Sequence, residues 1–282
     1  MKRQSARIAR IDRIDSRAGH TGRIVAIAMP VLAGLIALAG WELAVAIAQI
    51  PPFVLPAPSA IGAALVADFP SLAASLWQTV RITGQAFALA VVSGVGLSLL
   101  FSQSRVIEMT LFPFAVILQV TPIIAIAPLI LIWVGFDHAD RALLIMAWVA
   151  AFFPILSNMT LGLRSADPNL LALMRLYGAS RVQTARFVQL PAALPFLLSG
   201  MKISGGLALI GTVVAEFVAG SGASTGLAWR IMEAGNRLEI PRMFAALILL
   251  SLLGIAIFFL LSLLETLLLR RWHDSARQSA LR

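Results

Sequence analysis

Six long apolar segments alternate along this chain with shorter stretches that hold most of its polar residues. The hydrocarbon core of a bilayer is about 30 Å thick, so a helix needs about 20 apolar residues to cross it. Each segment is long enough, and the few charges inside them lie within about two turns of an end, where long side chains reach the interface. The pattern predicts six spanning helices, at residues 24–48, 76–101, 111–134, 141–163, 196–219 and 243–269.

The composition agrees with a membrane protein. Hydrophobic residues make up 60% of the 282 residues, charged residues only 12%, and the mean hydropathy is +0.92. Too few polar residues are present to cover a water-soluble fold, which excludes a soluble enzyme and a nucleic-acid-binding protein despite the net charge of +9. Without cysteine the chain has no thiolate nucleophile and no cysteine-based metal site, and we expect no bound metal.

The distribution of Lys and Arg predicts the orientation. Sixteen of them fall in the two tails and in connections 102–110 and 164–195, against three in the connections of the opposite side. Because cytoplasmic segments are enriched in these residues, both termini are expected in the cytoplasm. The chain then divides into a basic cytoplasmic tail at 1–23, a membrane domain at 24–269 and a second basic tail at 270–282.

The third predicted span is irregular because it contains three prolines. Pro113, Pro122 and Pro128 each remove a backbone donor and crowd the preceding turn. We expect a bent helix or two pieces packed inside the bundle, with either a structural kink or a water-lined path at the break. Pro122, Pro128 and Glu216 are the candidates for lining a path across the membrane.

The long connection 164–195 carries clear helix signals. Asp167 followed by Pro168 is typical of an N-cap with proline in the first turn. Gly178 predicts the helix end, because glycine readily adopts the positive φ at which many helices stop. Between them, one apolar stripe at helical spacing comprises Leu170, Leu173, Met174 and Tyr177.

A second short helix is expected to follow the bend at Gly178. It begins at Ser180, with Gln183 as a capping-box partner, and ends at Leu190-Pro191. Two such helices outside the bilayer could lie on lipid or insert into a groove of another protein, and the residues by themselves leave both possibilities open. The exposed rim is predicted to carry Arg175, Arg181 and Arg186.

The motif of Gly178, nine residues and then Val188-Gln189-Leu190-Pro191 resembles the cytoplasmic "EAA" loop of permease subunits in binding-protein-dependent ABC importers. That loop reads Glu-Ala-Ala, three residues, Gly, nine residues, Ile-x-Leu-Pro. The nitrate/sulfonate/taurine-type permeases also have segments similar to those at 51–59, 121–129, 133–136, 178–180 and 190–195.

The resemblance implies an all-α polytopic permease of the bacterial inner membrane, with six spans and a cytoplasmic helix–Gly–helix coupling loop. Its partners would be an ATP-binding subunit that carries ATP and Mg, a second permease copy, a periplasmic or lipid-anchored substrate-binding protein, and membrane lipid. No cofactor is expected on this chain. The implied coupling residues are Asp167, Leu170, Leu173, Met174, Arg175, Tyr177, Gly178, Ala179, Ser180, Leu190 and Pro191.

One departure from the family motif concerns its acidic residue. Ala172-Leu173-Met174 stands where the motif has Glu-Ala-Ala. Coupling would then depend on shape, on the apolar stripe and on Arg175 or Arg181. The segment 173–178 is similar to the branch that carries thiamine-precursor pyrimidines, so the expected substrate is either such a heterocycle or a small polar solute of the nitrate/sulfonate/taurine class.

No catalytic role is expected for this chain. A phosphate-binding loop of the Gly-x-x-x-x-Gly-Lys-Ser/Thr type is missing, and neither Lys2 nor Lys202 follows a glycine. The alternative function is a secondary transporter driven by an ion gradient, which favours ionisable groups near the middle of the membrane. The charges near the span ends and the long cytoplasmic loop argue against it.

Overall fold

The computed structural model describes residues 28–219 and 225–269, and within these ranges the chain is helical with no strand. The predicted tails at 1–23 and 270–282 lie outside the described residues. The helices are α1 Ala28–Ile47, α2 Pro58–Ala67, α3 Phe69–Gln103, α4 Arg105–Val120, α5 Ile123–Val134, α6 Ala139–Arg164, α7 Pro168–Leu176, α8 Arg181–Thr184, α9 Leu190–Ala219, α10 Leu227–Asn236 and α11 Ile240–Leu269.

The prediction of an all-α polytopic membrane protein is confirmed, and the predicted number of six spans is reached if one bent pair of helices counts as a span. Within the described ranges, α1, α3, α6, α11 and the continuous helix that ends in α9 are long and apolar enough to cross a membrane. The pair α4 and α5, bent by 104°, counts as the sixth if it forms one span. Since α9 extends about 45 Å at 1.5 Å per residue, α7 and α10 lie at opposite ends of the bundle. We call these the α7 end and the α10 end.

Helix α6 is the centre of the bundle. In its apolar window 61% of the residues are buried, against 6% in α1 and in α11. Its most extensive contacts are with α9 and α3. Helices α1 and α11 therefore lie at the periphery, where their large apolar side chains are free to contact lipid.

The contact between α6 and α9 depends on small residues. A Cβ added to Gly162 would lie 2.8 Å from the Cα of Ala193, and one added to Gly211 would lie 2.9 Å from the Cα of Ala147. The Ser204 hydroxyl donates a 2.7 Å hydrogen bond to the carbonyl of Ala151 across the same contact. Because lipid tails are as apolar as leucine, such close backbone approach and interhelical hydrogen bonds are what hold helices together in a membrane.

The third span consists of two pieces, as the prolines predicted, but only one piece packs inside. Helix α4 buries only Ala115, whereas α5 buries Ala127, Ile130 and Leu131. The break falls at Thr121-Pro122, where Pro122 has no N–H to continue the ladder of α4. The expectation that the whole segment is interior is therefore wrong for α4.

Leu190-Pro191 do not end the second loop helix, contrary to the prediction. One helix runs from Arg181 to Ala219, through a π-helical turn at Ala185–Gln189. In that turn the N–H of Leu190 bonds the carbonyl of Ala185, five residues back. This shift in register brings the next residue, Pro191, into the helix at a place where a missing N–H is tolerated.

Gly211→Ala tests the close approach of α6 and α9. The added methyl meets the backbone of Ala147, which cannot rotate away as a side chain could, so the free energy of unfolding should fall by about 1–3 kcal/mol. The matched control is Gly206→Ala on the same helix, where nothing lies within 4 Å of the new methyl. Thermal unfolding in detergent micelles measures both variants, and equal stability of the two would contradict the packing described here.

Candidate functional site

Helix α7 has both of its ends fixed by local hydrogen bonds. At its start, the side chain of Asp167 accepts a 2.7 Å hydrogen bond from the N–H of Asn169. At its end, Gly178 has a φ of 67°, and the N–H groups of Gly178 and Ala179 bond the carbonyls of Arg175 (3.0 Å) and Met174 (2.9 Å). These two bonds form a Schellman motif, which satisfies carbonyls of the last turn.

The second helix of the loop begins with the predicted capping box. The N–H of Gln183 donates to the Ser180 hydroxyl at 3.2 Å, and the N–H of Ser180 donates to the Gln183 side-chain oxygen at 2.8 Å. The Arg181 guanidinium also donates to the carbonyl of Gln103, at the end of α3, at 3.4 Å. The bend at Gly178 thus joins two capped helices and is held against the bundle.

No residue of α7 is buried. Three residues of the predicted stripe are exposed, with Leu170 at 48%, Leu173 at 45% and Tyr177 at 79%, whereas Met174 is half-buried. Leu176, which was not predicted, is also exposed, at 83%. We call the exposed set Leu170, Leu173, Leu176 and Tyr177 the α7 surface.

The remaining predicted loop residues are either exposed or half-buried. Arg175, Arg181 and Arg186 are all exposed. Leu190 is half-buried and packs against Met159, Leu163 and Ala193. It therefore lies at the base of α9, and Pro191 follows it there, half-buried.

At the α10 end, the buried carboxylate of Glu216 connects three helices. It has 0% exposure and accepts hydrogen bonds from the Thr79 hydroxyl of α3 (2.8 Å) and from the N–H of Ala228 in α10 (2.9 Å). The N–H of Leu227 donates to the Thr79 oxygen at 2.9 Å. Since Gly226 stands at the N-cap of α10 and has no side chain, Glu216 supplies the cap from another helix.

Helix α2, which also lies at the α10 end, is likewise capped by a carboxylate from another helix. Its N-cap is Ala57, without a polar side chain, and Glu42 of α1 accepts hydrogen bonds from the N–H (3.0 Å) and the hydroxyl (2.6 Å) of Ser59. Both short helices thus receive a carboxylate from a membrane span.

On α10 itself, the hydrogen bond from Arg230 to Glu233 (2.8 Å) lowers the pKa of the Glu233 carboxyl.

The three residues predicted to line a path do not meet at one place. Pro122 lines a cavity of about 380 Å³ at the break between α4 and α5, together with Gln119 and Thr121. Pro128 lies exposed on α5 and is not part of that cavity. Glu216 lies in the interhelical contact just described and also lines no part of it. Gln119 and Thr79 were not predicted, because only the fold shows what lies opposite them.

Comparison with known proteins gives the family. The family described as "Binding-protein-dependent transport system inner membrane component" matches residues 86–273. The chain belongs to this family. As an ABC transporter permease it is a non-catalytic subunit of the inner membrane, and ATP hydrolysis belongs to a separate subunit.

Curated relatives extend the match beyond that segment. The chain is 34% identical to the riboflavin transport system permease protein of Chloroflexus aurantiacus (89% of this chain, 91% of the relative). It is 33% identical to a putative aliphatic sulfonates transport permease protein of Bacillus subtilis (84% and 85%). It is 32% identical to the formylaminopyrimidine transport permease protein of Halalkalibacterium halodurans (85% and 94%).

A solved structure shares the fold of this permease. An amino acid ABC transporter, crystallised with histidines, superposes with a TM-score of 0.59 over 73% of this chain and 96% of that chain. The sequence identity is 18%, so the likeness concerns the fold.

Glu216→Ala tests whether this carboxylate holds α10. The substitution leaves the N–H of Ala228 without its acceptor in a buried place, which costs about 1–3 kcal/mol. Amide hydrogen exchange at residues 227–229 should therefore accelerate about tenfold or more, whereas exchange in α7 should not change. Thr110→Val is the control, because its hydroxyl bonds only the carbonyl of Val106 in its own helix, at 2.8 Å. Unchanged exchange at 227–229 would contradict the capping role.

Proposed function

We propose that α7 is the coupling helix of this permease and inserts into a groove of the separate ATP-binding subunit. The observation that carries the proposal is the α7 surface, four large apolar side chains on a helix with no buried residue. An apolar patch with a polar rim is typical of a site where another protein binds. In this proposal the exposed arginines of the loop, Arg175, Arg181 and Arg186, form that rim.

The fixed geometry of the loop favours a protein groove over a lipid surface. A lipid surface requires an apolar face but imposes no particular shape. A groove requires a defined shape, and a helix that is already ordered at both ends loses less conformational freedom on binding. The caps at Asp167 and Ser180 and the bend at Gly178 supply that order.

The path must alternate between a conformation open to one side of the membrane and a conformation open to the other. A ligand can drive this change only if it binds one of the two conformations more tightly. In our proposal ATP and Mg on the partner close the two ATP-binding subunits, and α7 transmits this motion through α8 and the π-helical turn into α9. Two ATP-binding subunits require two coupling helices, so a second copy of this chain completes the transporter. The α7 end and both termini are then cytoplasmic, 24–269 is the permease domain, and a substrate-binding protein contacts the α10 end.

The break between α4 and α5 forms part of the substrate path in this proposal. It offers an open cavity between this break and α9. The names of the relatives indicate sulfonates, riboflavin and formylaminopyrimidine, so the substrate is a small polar solute. Transport driven by an ion gradient is less well supported, because Lys202 pairs with Glu265 at 2.8 Å and Glu216 is held by Thr79 and α10.

Gly178→Val tests the coupling role. Valine is strongly disfavoured at a φ of 67°, at a cost of about 1–3 kcal/mol, while nothing within 4 Å of the new Cβ adds a clash. The bend should open and the affinity for the ATP-binding subunit should fall about tenfold, measured by co-purification and by transport in proteoliposomes. Gly84→Val, at an exposed glycine in α3, is the control, and normal assembly of Gly178→Val would refute the role.

Ala172→Glu tests the departure from the family motif. Ala172 is exposed on α7, so a glutamate fits without a clash and restores the acidic residue of the motif. We expect assembly to be retained and binding of the ATP-binding subunit to be equal or tighter, measured by titration of the purified partner. Complete loss of assembly would show that the partner offers an apolar socket at this position.

A further inference from the structure

A groove at the α7 end lies between the loop and the ends of α3, α4 and α6. It contains two cavities of about 350 and 360 Å³, each within the range of about 300–1,000 Å³ found for ligand sites. The two adjoin, because the last residues of α3, Leu171 of α7 and Gln189 line both. A third cavity, of about 520 Å³, shares Arg105, Glu108 and Arg164 with the first. We call the three cavities together the α7 groove.

The walls of the α7 groove carry more positive than negative charge. Four arginines line it, against one carboxylate, that of Glu108. Both oxygens of this carboxylate accept hydrogen bonds from the guanidinium of Arg164. Within residues 28–219 and 225–269, the other three arginines pair with no carboxylate; these are Arg105, Arg175 and Arg181. An anion in the groove would therefore find positive charge that is not neutralised.

A buried hydroxyl in the same groove lacks a hydrogen-bond partner. Thr160 of α6 lies one turn before Arg164, is only 8% exposed and lines the first cavity. Within the described part of the chain its oxygen takes part in no hydrogen bond, which is uncommon for a buried hydroxyl. Helix α4 begins at Arg105, so the positive end of its dipole also lies at this cavity. A ligand with anionic oxygens would satisfy both groups.

The hydrogen-bond acceptors of the α7 groove do not cancel this positive charge. The carbonyl of Gln103 already accepts a hydrogen bond from Arg181 at 3.4 Å. The acceptors that remain are other carbonyls at the end of α3 and the side-chain oxygens of Gln103 and Gln189. These groups carry only partial charges, whereas each guanidinium carries a full one.

The third cavity connects the arginines with the apolar surface of α4. Met109, Phe112 and Pro113 line it beside Arg105 and Arg164. Because α4 buries only Ala115, its surface is open to lipid. A charged pocket next to an apolar surface matches a phospholipid, in which a phosphate adjoins acyl chains. Basic pockets between spans are typical sites for lipid headgroups, and guanidinium groups bind phosphate oxygens in pairs.

We propose that the α7 groove binds the phosphate group of an anionic phospholipid, with the acyl chains along α4. Arg105 and the hydroxyl of Thr160 donate to the phosphate oxygens, and Met109 and Pro113 contact the chains. Since Leu171 lines the same groove, the lipid packs between the loop and the bundle. The inference goes beyond the proposed function, because it requires only that the α7 end lies at a membrane surface.

Lipid binding to the transporter assembled with its ATP-binding subunit tests the inference. Native mass spectrometry counts the bound molecules per permease chain during titration with phosphatidylglycerol, with phosphatidylcholine, or with glycerol phosphate, which has no acyl chain. We expect one phosphatidylglycerol per permease chain, bound about tenfold more tightly than phosphatidylcholine because only the former has a net negative charge. Glycerol phosphate should bind at least about tenfold more weakly than phosphatidylglycerol, since it lacks the contacts with α4.

Two substitutions should weaken the binding of phosphatidylglycerol. Arg105→Gln and Thr160→Val each remove a donor to a charged group, so each should lower the affinity about tenfold. The matched controls are Arg141→Gln, at an exposed position at the opposite end of α6, and Thr266→Val, whose hydroxyl bonds the carbonyl of Ser262 in its own helix. Without lipid, Thr160→Val should unfold at the same temperature as the parent protein or higher, which separates lost binding from lost folding.

Glu108→Gln should have the opposite effect, which a damaged fold would not produce. It removes the carboxylate of the groove and leaves the charge of Arg164 unopposed, so phosphatidylglycerol should bind about fivefold more tightly. Equal affinity for the two lipids, or unchanged binding in Arg105→Gln and Thr160→Val, would overturn the inference. Glycerol phosphate bound as tightly as the lipid would show a site for soluble phosphate instead. If Arg105→Gln weakens only the binding of the ATP-binding subunit, the groove contacts that protein and the inference is wrong.

Discussion

The close contact of α6 with α3 and α9 is the constraint on which the rest of the structure depends. In lipid the hydrophobic effect does not drive helices to associate. Close packing and interhelical hydrogen bonds must therefore stabilise the bundle. Glycine at 162 and 211 lets α9 approach the backbone of α6, and Ser204 bonds across the contact. With α6 fixed at the centre, the break between α4 and α5 is placed against α9.

The short helices at the two ends of the bundle are capped in different ways. At the α10 end, the short helices α2 and α10 have Ala57 and Gly226 at their N-caps and receive carboxylates from Glu42 and Glu216 of the spans. Their positions are therefore tied to the membrane helices. At the α7 end, α7 and α8 are capped by their own neighbours in sequence, so the loop keeps its shape without burying its apolar side chains.

This difference between the two ends affects how a separate ATP-binding subunit could move the membrane helices. A loop that is ordered locally can move as a unit, and the π-helical turn at Ala185–Gln189 joins it to α9 without a flexible connection. Movement of α7 would thus reach α9, which carries both the wall of the cavity and Glu216. One continuous helix of 39 residues therefore connects the loop that is proposed to bind the ATP-binding subunit with the opposite end of the permease.

The amino-acid sequence by itself determined what depends on near neighbours along the chain. Hydropathy located the spans, Asp167, Gly178 and Ser180 set the caps of the loop helices, and Pro122 marked the break. Tertiary structure alone decided the role of Glu216, the packing of half-buried Leu190 against α6 and the cavity beside Gln119. The reason is physical: a cap or a break acts within one turn of helix, whereas burial and hydrogen bonding across helices depend on residues far apart in the chain, 137 positions in the case of Thr79 and Glu216. Leu190-Pro191 failed as a helix end for a related reason, because the π-helical turn absorbed the proline and packing against α6 kept the helix continuous.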